Sequence, residues 1–165
     1  MSNETLKYVY IEEMRDLWSA NDQMQRVMRS MSQKASDQKL KHLLEQSVSG
    51  IEKHTDTLKS VLEAQGGSAG KEQCKGMEGL VAEAKKHAID ANLEESLRDL
   101  AIIAQYQRMS HYGLAGFGTA AAYADALGRK DDASKLRAII KDIYKADHYT
   151  SHLAQQAEKA AARLA

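Results

Sequence analysis

Proline is absent from all 165 residues, and aromatic residues make up only 5%. Without proline the chain has none of the commonest helix breaker, and few aromatics weaken a β-rich reading. Cysteine occurs once, at Cys74, so no disulfide can form within the chain. A lone thiol agrees with a reducing cytoplasm. Neither sign of charge is in excess, with 23 Lys and Arg against 23 Asp and Glu. A nucleic-acid-binding protein would show a clustered basic surplus, and none is present, so no nucleic acid is expected as a partner. No stretch approaches the roughly 18 consecutive apolar residues of a membrane span, so no membrane association is expected either. The first residues are polar and lack the apolar core of a signal peptide, which points to a cytoplasmic location.

What is present is helical periodicity, in a chain 43% hydrophobic and 28% charged. Over residues 3–33, Tyr10, Met14, Leu17, Asn21, Met24, Met28 and Met31 recur at alternate spacings of four and three, the core stripe of a bundle-forming helix. Ser36 or Asp37 is placed to cap a second helix, which turns Leu40, Leu44, Val48, Ile51, Leu58 and Leu62 inward. That helix ends at Gly66-Gly67-Ser68-Ala69-Gly70, a flexible linker. A short helix is expected over residues 73–89, with Met77, Leu80 and Val81 on its apolar face. Asn92 and Glu95 have capping-box spacing ahead of a long helix over 93–127, which Gly128 terminates. Asp131 or Asp132 opens the last helix, with Leu136, Ile139, Ile140, Ile143, Ala146 or Asp147, and Leu153 on its core stripe.

Four helices of about 30 residues, each about 45 Å long at ~1.5 Å per residue, therefore surround one core. Short loops make the first two antiparallel neighbours, and likewise the last two. The linker and short helix between the second and third long helices read as a crossover connection. The pattern predicts one all-α domain over residues 1–165, a ferritin-like antiparallel four-helix bundle plus one short crossover helix.

Cofactors in such bundles are held at mid-height by inward-facing side chains. Polar candidates there are Asn21, Glu45, Glu52, His54, Gln107, Ser110, His111, Asp142, Asp147, His148 and His152. A di-iron centre calls for about four carboxylates and two histidines, two of the helices each carrying a Glu-x-x-His motif. The chain contains no Glu-x-x-His; the nearest segment, from Glu45, has Val48 at the histidine position. Structural roles suit most candidates: a register-setting amide for Asn21, a hydrogen-bonded core histidine for His111, and boundary positions for Glu45 and Asp147. Glu52, His54, His148 and His152 read as solvated or dimer-facing, and Cys74 as inert. Three glycines, Gly113, Gly116 and Gly118, fall mid-helix, where each costs ~1 kcal/mol relative to alanine. They suggest close backbone approach, within the monomer or across a dimer; a helical bulge is the other option.

Several segments resemble the YciE/YciF family of bacterial ferritin-like proteins, which is associated with stress responses. Residues 16–24, from Asp16 through Asn21 to Met24, look like that family's Asp-x-Tyr-x-Ala-Glu-x-Gln-Leu segment. Residues 74–80, from Cys74 to Leu80, followed by Glu83 and Ala84, are similar to its short-helix motif. Ser110-His111-Tyr112-Gly113 stands where the family has Glu-His-Tyr-Glu, and Phe117-Gly118-Thr119 continues the match. The resemblance extends over about residues 6–154. It implies a five-helix ferritin-like fold, a homodimer, and a carboxylate-rich di-metal site inside the bundle.

Carried onto this chain, the implied metal site is depleted. The helix-one Glu corresponds to Asn21, the Glu-x-x-His to Glu45 and Val48, the two glutamates flanking His-Tyr to Ser110 and Gly113, and a last-helix carboxylate to Ile143 between Asp142 and Asp147. Buried carboxylates repel one another and are costly without a metal, so their joint replacement by neutral residues fits a degenerate di-iron site. The expected function is a non-catalytic dimeric scaffold or binding protein with no cofactor. The alternative is an iron or manganese protein, or an oxidoreductase of peroxide and oxygen chemistry, with a site rebuilt from Glu45, His111 and Asp147 and assisted by Glu52 or Asp142. No elbow motif for nucleophilic catalysis and no phosphate-binding loop is present.

Overall fold

The computed structural model describes residues 3–70 and 72–163, and among them it contains helices and no strand; Met1 and Ser2 of the polar N-terminal segment lie outside that range. Helix α1 is Asn3–Lys34, α2 Gln38–Ala64, α3 Lys75–Ala84, α4 Glu95–Ala126 and α5 Lys130–Ala162. Asp37 is the N-cap of α2, its Oδ1 accepting the Leu40 N–H at 2.8 Å. Gly128, at φ 72°, ends α4 in the left-handed conformation, which costs glycine nothing. The last helix starts at Lys130 with Arg129 as its N-cap, so neither Asp131 nor Asp132 opens it; both lie in its first turn, where carboxylates suit the helix dipole.

Two details differ from the sequence pattern. Asn92 does not cap α4, whose N-cap is Glu94 without a side-chain bond. The short helix also changes pitch, with α3 continuing as a π-helical turn over Lys85–Ile89. Arg98 from α4 satisfies the end of that turn, donating to the carbonyls of Ala88 and Ile89 at 3.0 Å each and of Leu93 at 3.2 Å. A guanidinium is a good partner for C-terminal carbonyls.

The stripes pack into two apolar clusters, one toward each end of the bundle. One joins Tyr10, Met14 and Leu17 of α1 to Leu58 and Leu62 of α2, Phe117 and Ala124 of α4, and Leu136 of α5. The other joins Met24, Met28 and Met31 to Leu40 and Leu44, Ile102 and Met109, Leu153, and Met77 of α3. The start of α1 thus lies beside the end of α2, the end of α4 and the start of α5. Helices α2 and α4 run parallel, so the chain between them must travel the length of the bundle. It does so against α1: the Ser19 Oγ accepts the Cys74 N–H at 2.9 Å, Gln23 donates to the Cys74 carbonyl at 3.1 Å, and Arg15 donates to that of Ser68 at 3.3 Å.

The glycine-bearing stretch of α4 stays α-helical, without a bulge. Close approach is real at Gly116, where an added Cβ would come within 2.4 Å of Leu17 Cδ2, while at Gly118 it would meet nothing within 4 Å. Leu17 is buried, so its side chain must be displaced to admit a larger residue. Gly116→Leu is therefore expected to lower stability by ~1–3 kcal/mol through overpacking. Gly118→Ala should raise it by up to ~1 kcal/mol by removing a flexible helix residue. Thermal melts of the two variants would show opposite shifts.

Candidate functional site at mid-height of the bundle

Asn21 lies between Leu17 and Met24 on the α1 stripe, and Ser110 lies between Met109 and Phe117 on α4, so both fall where the two apolar clusters meet. A cavity of about 330 Å³ opens there. Asn21 and Met24 of α1 line it with Tyr106, Ser110 and Phe117 of α4, and its rim runs along α2 and α5 through Ser47, Ile51, His54, Asp142, Ile143 and Tyr149. Asn21 is 2% exposed, and its Nδ2 has no hydrogen-bond partner in the protein. A buried donor left in this way costs ~1–3 kcal/mol.

Several other polar groups of the cavity are paired. The Tyr106 and Ser47 hydroxyls share a hydrogen bond at 2.9 Å. Burial pushes the Tyr106 phenol above its ordinary range, while hydrogen bonds from Ser47, Ser110 and Thr150 partly offset the rise. At the rim, His54 Nε2 and Asp142 Oδ2 lie 3.0 Å apart and join α2 to α5. The His54 side chain is only 12% exposed and stands edge-on to Phe117, with ring centroids 6.4 Å apart. His54 is therefore a wall residue of the cavity and not solvated, the first of the two roles its sequence context suggests.

The candidate ligand positions separate into two groups. Asn21, Ser110, Asp142 and Ile143 surround the cavity, and a Cβ at Gly113 would lie 3.9 Å from Ile143 Cδ1. Glu45, His111 and Asp147 do not line it. Glu45 is exposed on α2. His111 is no core histidine: its side chain is 58% exposed, with Nε2 3.0 Å from Asp147 Oδ2. Gln107 also donates to Asp147, at 3.3 Å. The structure brings His111 and Asp147 together without Glu45, because one helical step beyond the buried Ser110 turns His111 out of the stripe. Among the described residues no three His, Cys, Asp or Glu side chains gather in a way that could hold a metal ion. Around the cavity itself the only carboxylate is Asp142, 70% exposed and engaged by His54. One carboxylate and one imidazole cannot balance the charge of two metal ions, so these residues do not fit a di-iron centre.

A second cluster lies on the other side of α1. Asp16 Oδ2 accepts from the Cys74 thiol and the Tyr112 hydroxyl, both at 3.3 Å, and the thiol and hydroxyl are themselves 3.1 Å apart. Cys74 is buried and caps α3, accepting the Met77 N–H at 3.4 Å, so it is a structural residue with partners that its isolation in the sequence did not show. Burial pushes the thiol pKa up, and Asp16 adds to the rise against the hydrogen bonds of Tyr112 and Met77. Glu13 borders the same cluster, and its carboxyl is raised first by burial and then by the charge of Asp16. A carboxyl raised on folding favours the fold below its unfolded pKa and withdraws that contribution as pH rises through the folded value. Glu13→Gln is thus expected to melt above the wild type at pH 7–8 and to match it near pH 4.

Comparison with known proteins agrees with this architecture. Protein YciF of Escherichia coli strain K12 is 28% identical over 143 residues, covering 86% of each chain. The crystal structure of the E. coli stress protein YciF superposes with a TM-score of 0.88 at 26% identity, over 93% of this chain and 97% of that one. A Xanthomonas campestris protein has the same fold at 12% identity, with a TM-score of 0.77 over 94% of each chain. The model of the family described as Domain of unknown function (DUF892) matches residues 5–163, and the chain belongs to that family.

Proposed function

We propose that this protein is a non-catalytic, stress-associated binding or scaffold protein, cytoplasmic and homodimeric, whose bundle has lost the di-iron centre that its resemblance implies. One observation carries the reading: the mid-height cavity is walled by Asn21, Ser110 and Ile143 at positions the resemblance relates to carboxylates. A stress role is supported by the similarity to YciF, a stress protein of E. coli. Tyr144 and Tyr149, 58% and 42% exposed on α5, supply apolar surface of the kind a second subunit covers.

The test is elemental analysis of untagged protein from cells supplemented with iron and manganese, with its mass in solution measured alongside. The reading expects far less than one metal per chain, a melting temperature unmoved by chelators, and twice the 18.3 kDa chain mass. One or two tightly held metals per chain, with stability lost on chelation, would overturn it. The rival reading, a single iron or manganese on a rebuilt site, has the His111–Asp147 pair in its favour but, among the described residues, no third ligand beside it.

A further inference from the structure

Helix α2 carries a glycine near its centre that packing does not explain. A glycine weakens a helix interior. Close contact accounts for it at Gly116, but a Cβ added at Gly50 would meet nothing within 4 Å. Gly50 instead borders the mid-height cavity, together with Lys145 and Ala146 of α5. One turn further along α2, His54 reaches Asp142 of α5 at 3.0 Å, whereas at Gly50 α2 offers no side chain to close the seam. The cavity therefore has a mouth at Gly50. Behind it lie about 330 Å³, room for roughly ten water-sized groups at ~30 Å³ each and within the range of small-molecule sites.

We propose that the cavity binds an amphiphile with a single carboxylate, whose apolar chain of about ten atoms enters past Gly50 while the head stays at the mouth beside Lys145. The proposal deepens the reading of a binding protein without a di-iron centre, and it rests on that reading. Met24, Leu43, Ile51, Phe117 and Ile143 supply apolar walls for the chain. The Tyr106 hydroxyl is bonded to Ser47 at 2.9 Å and also to Ser110, so these hydroxyls satisfy one another beside an apolar guest. A carboxylate carried inward would lose its water with no counter-charge at hand. At the mouth it keeps water and meets a cation. Three lining side chains can carry charge near neutral pH: His54, Asp142 and Lys145. The first two are engaged with each other, while Lys145 makes no ion pair or side-chain hydrogen bond among the described residues. Gln46, one turn before Gly50, adds an amide donor to the same lining. An ammonium head would instead meet Lys145 as a like charge.

The probes are decanoate and decylammonium, which share a chain and differ in the sign of the head. Each is titrated below its micelle concentration into the full-length protein by calorimetry, at low salt, with metal content measured on the same sample. The expected result is one decanoate per chain, bound about fivefold tighter than decylammonium, the scale of one exposed ion pair. Lys145→Glu should reverse that order. Gly50→Leu sets a side chain across the mouth and should weaken decanoate about tenfold or more by denying the chain its burial. The same variant should melt at or above the wild-type temperature, since leucine favours a helix over glycine. Metal-free protein that binds no decanoate, or that holds both amphiphiles alike, overturns this proposal and leaves the proposed function standing. So does an order that Lys145→Glu leaves unmoved, or decanoate binding undiminished in Gly50→Leu. Stoichiometric metal in the sample overturns both.

Discussion

Replacing Asp99 with alanine is expected to destabilise the protein by about 3 kcal/mol. Asp99 is 5% exposed near the start of α4 and reaches the turn between α1 and α2. Its Oδ1 accepts the Ser36 N–H at 2.9 Å; its Oδ2 accepts the Asp37 N–H at 2.9 Å and the Ser36 hydroxyl at 2.5 Å. Backbone groups of a tight helix–helix turn have no helical partner of their own, so one carboxylate satisfies both donors and ties the turn to a third helix. Alanine would leave two N–H groups and a hydroxyl without it, each worth ~1–3 kcal/mol when fully enclosed. Asp37 is exposed and Ser36 half-buried, so water recovers part of the loss and the total stays near 3 kcal/mol. In a chain of this size that lowers the melting temperature by about 6–12 °C. Asp99→Asn keeps one acceptor oxygen but sets an amide N–H₂ against a donor, and about half the loss is expected. Melts followed by circular dichroism decide the matter; an Asp99→Ala midpoint within 2 °C of the wild type would contradict this account of the turn.

Asp99 also shows where the sequence could be read and where it could not. Counting back from Ile102, Tyr106 and Met109 by threes and fours places Asp99 on the buried stripe of α4, so a polar residue at a core position was visible. Its partners were not, because they lie more than sixty positions away and only the packing of α4 on the α1–α2 turn brings them close. The helices themselves were legible, since heptad spacing, Asp37, Gly128 and the linker each have a local physical cause. His54 was legible in the same way, three residues after Ile51 and four before Leu58, and His111 was legible as an outward residue beside Ser110. In both, helical phase decides exposure more than residue type does. The π-helical turn at Lys85–Ile89 had no local signal: it ends in carbonyls that Arg98 satisfies from another helix. The cavity was half legible. The scarcity of carboxylates on the core stripes could be read residue by residue, but the cavity is a property of four helices at once.

The second large effect follows from that space. Returning a carboxylate to it, by Asn21→Glu, is expected to destabilise the protein by several kcal/mol at pH 8 and by much less at pH 4–5. Position 21 is enclosed and no Lys or Arg is bonded there, so the new group meets the full desolvation cost of a buried charge. Burial raises a carboxyl pKa, by up to ~3–5 units when complete. A group whose pKa is higher folded than unfolded favours the fold most when protonated in both states, and that contribution is lost as pH climbs from the unfolded to the folded value. Stability of the variant should therefore fall steadily above about pH 4.5, by ~1.4 kcal/mol for each unit of raised pKa, while the wild type lacks this slope. Iron or manganese should not restore the loss, because Ser110, Gly113, Val48 and Ile143 still withhold the other ligands that a di-metal centre needs. Denaturant titrations at pH 5 and pH 8, with and without metal, separate the outcomes. Recovery of wild-type stability on adding metal would mean that a ligand shell survives in the bundle and that the reading of a lost centre is wrong. A pH slope that metal leaves unchanged would support the reading that no ligand shell remains in the bundle.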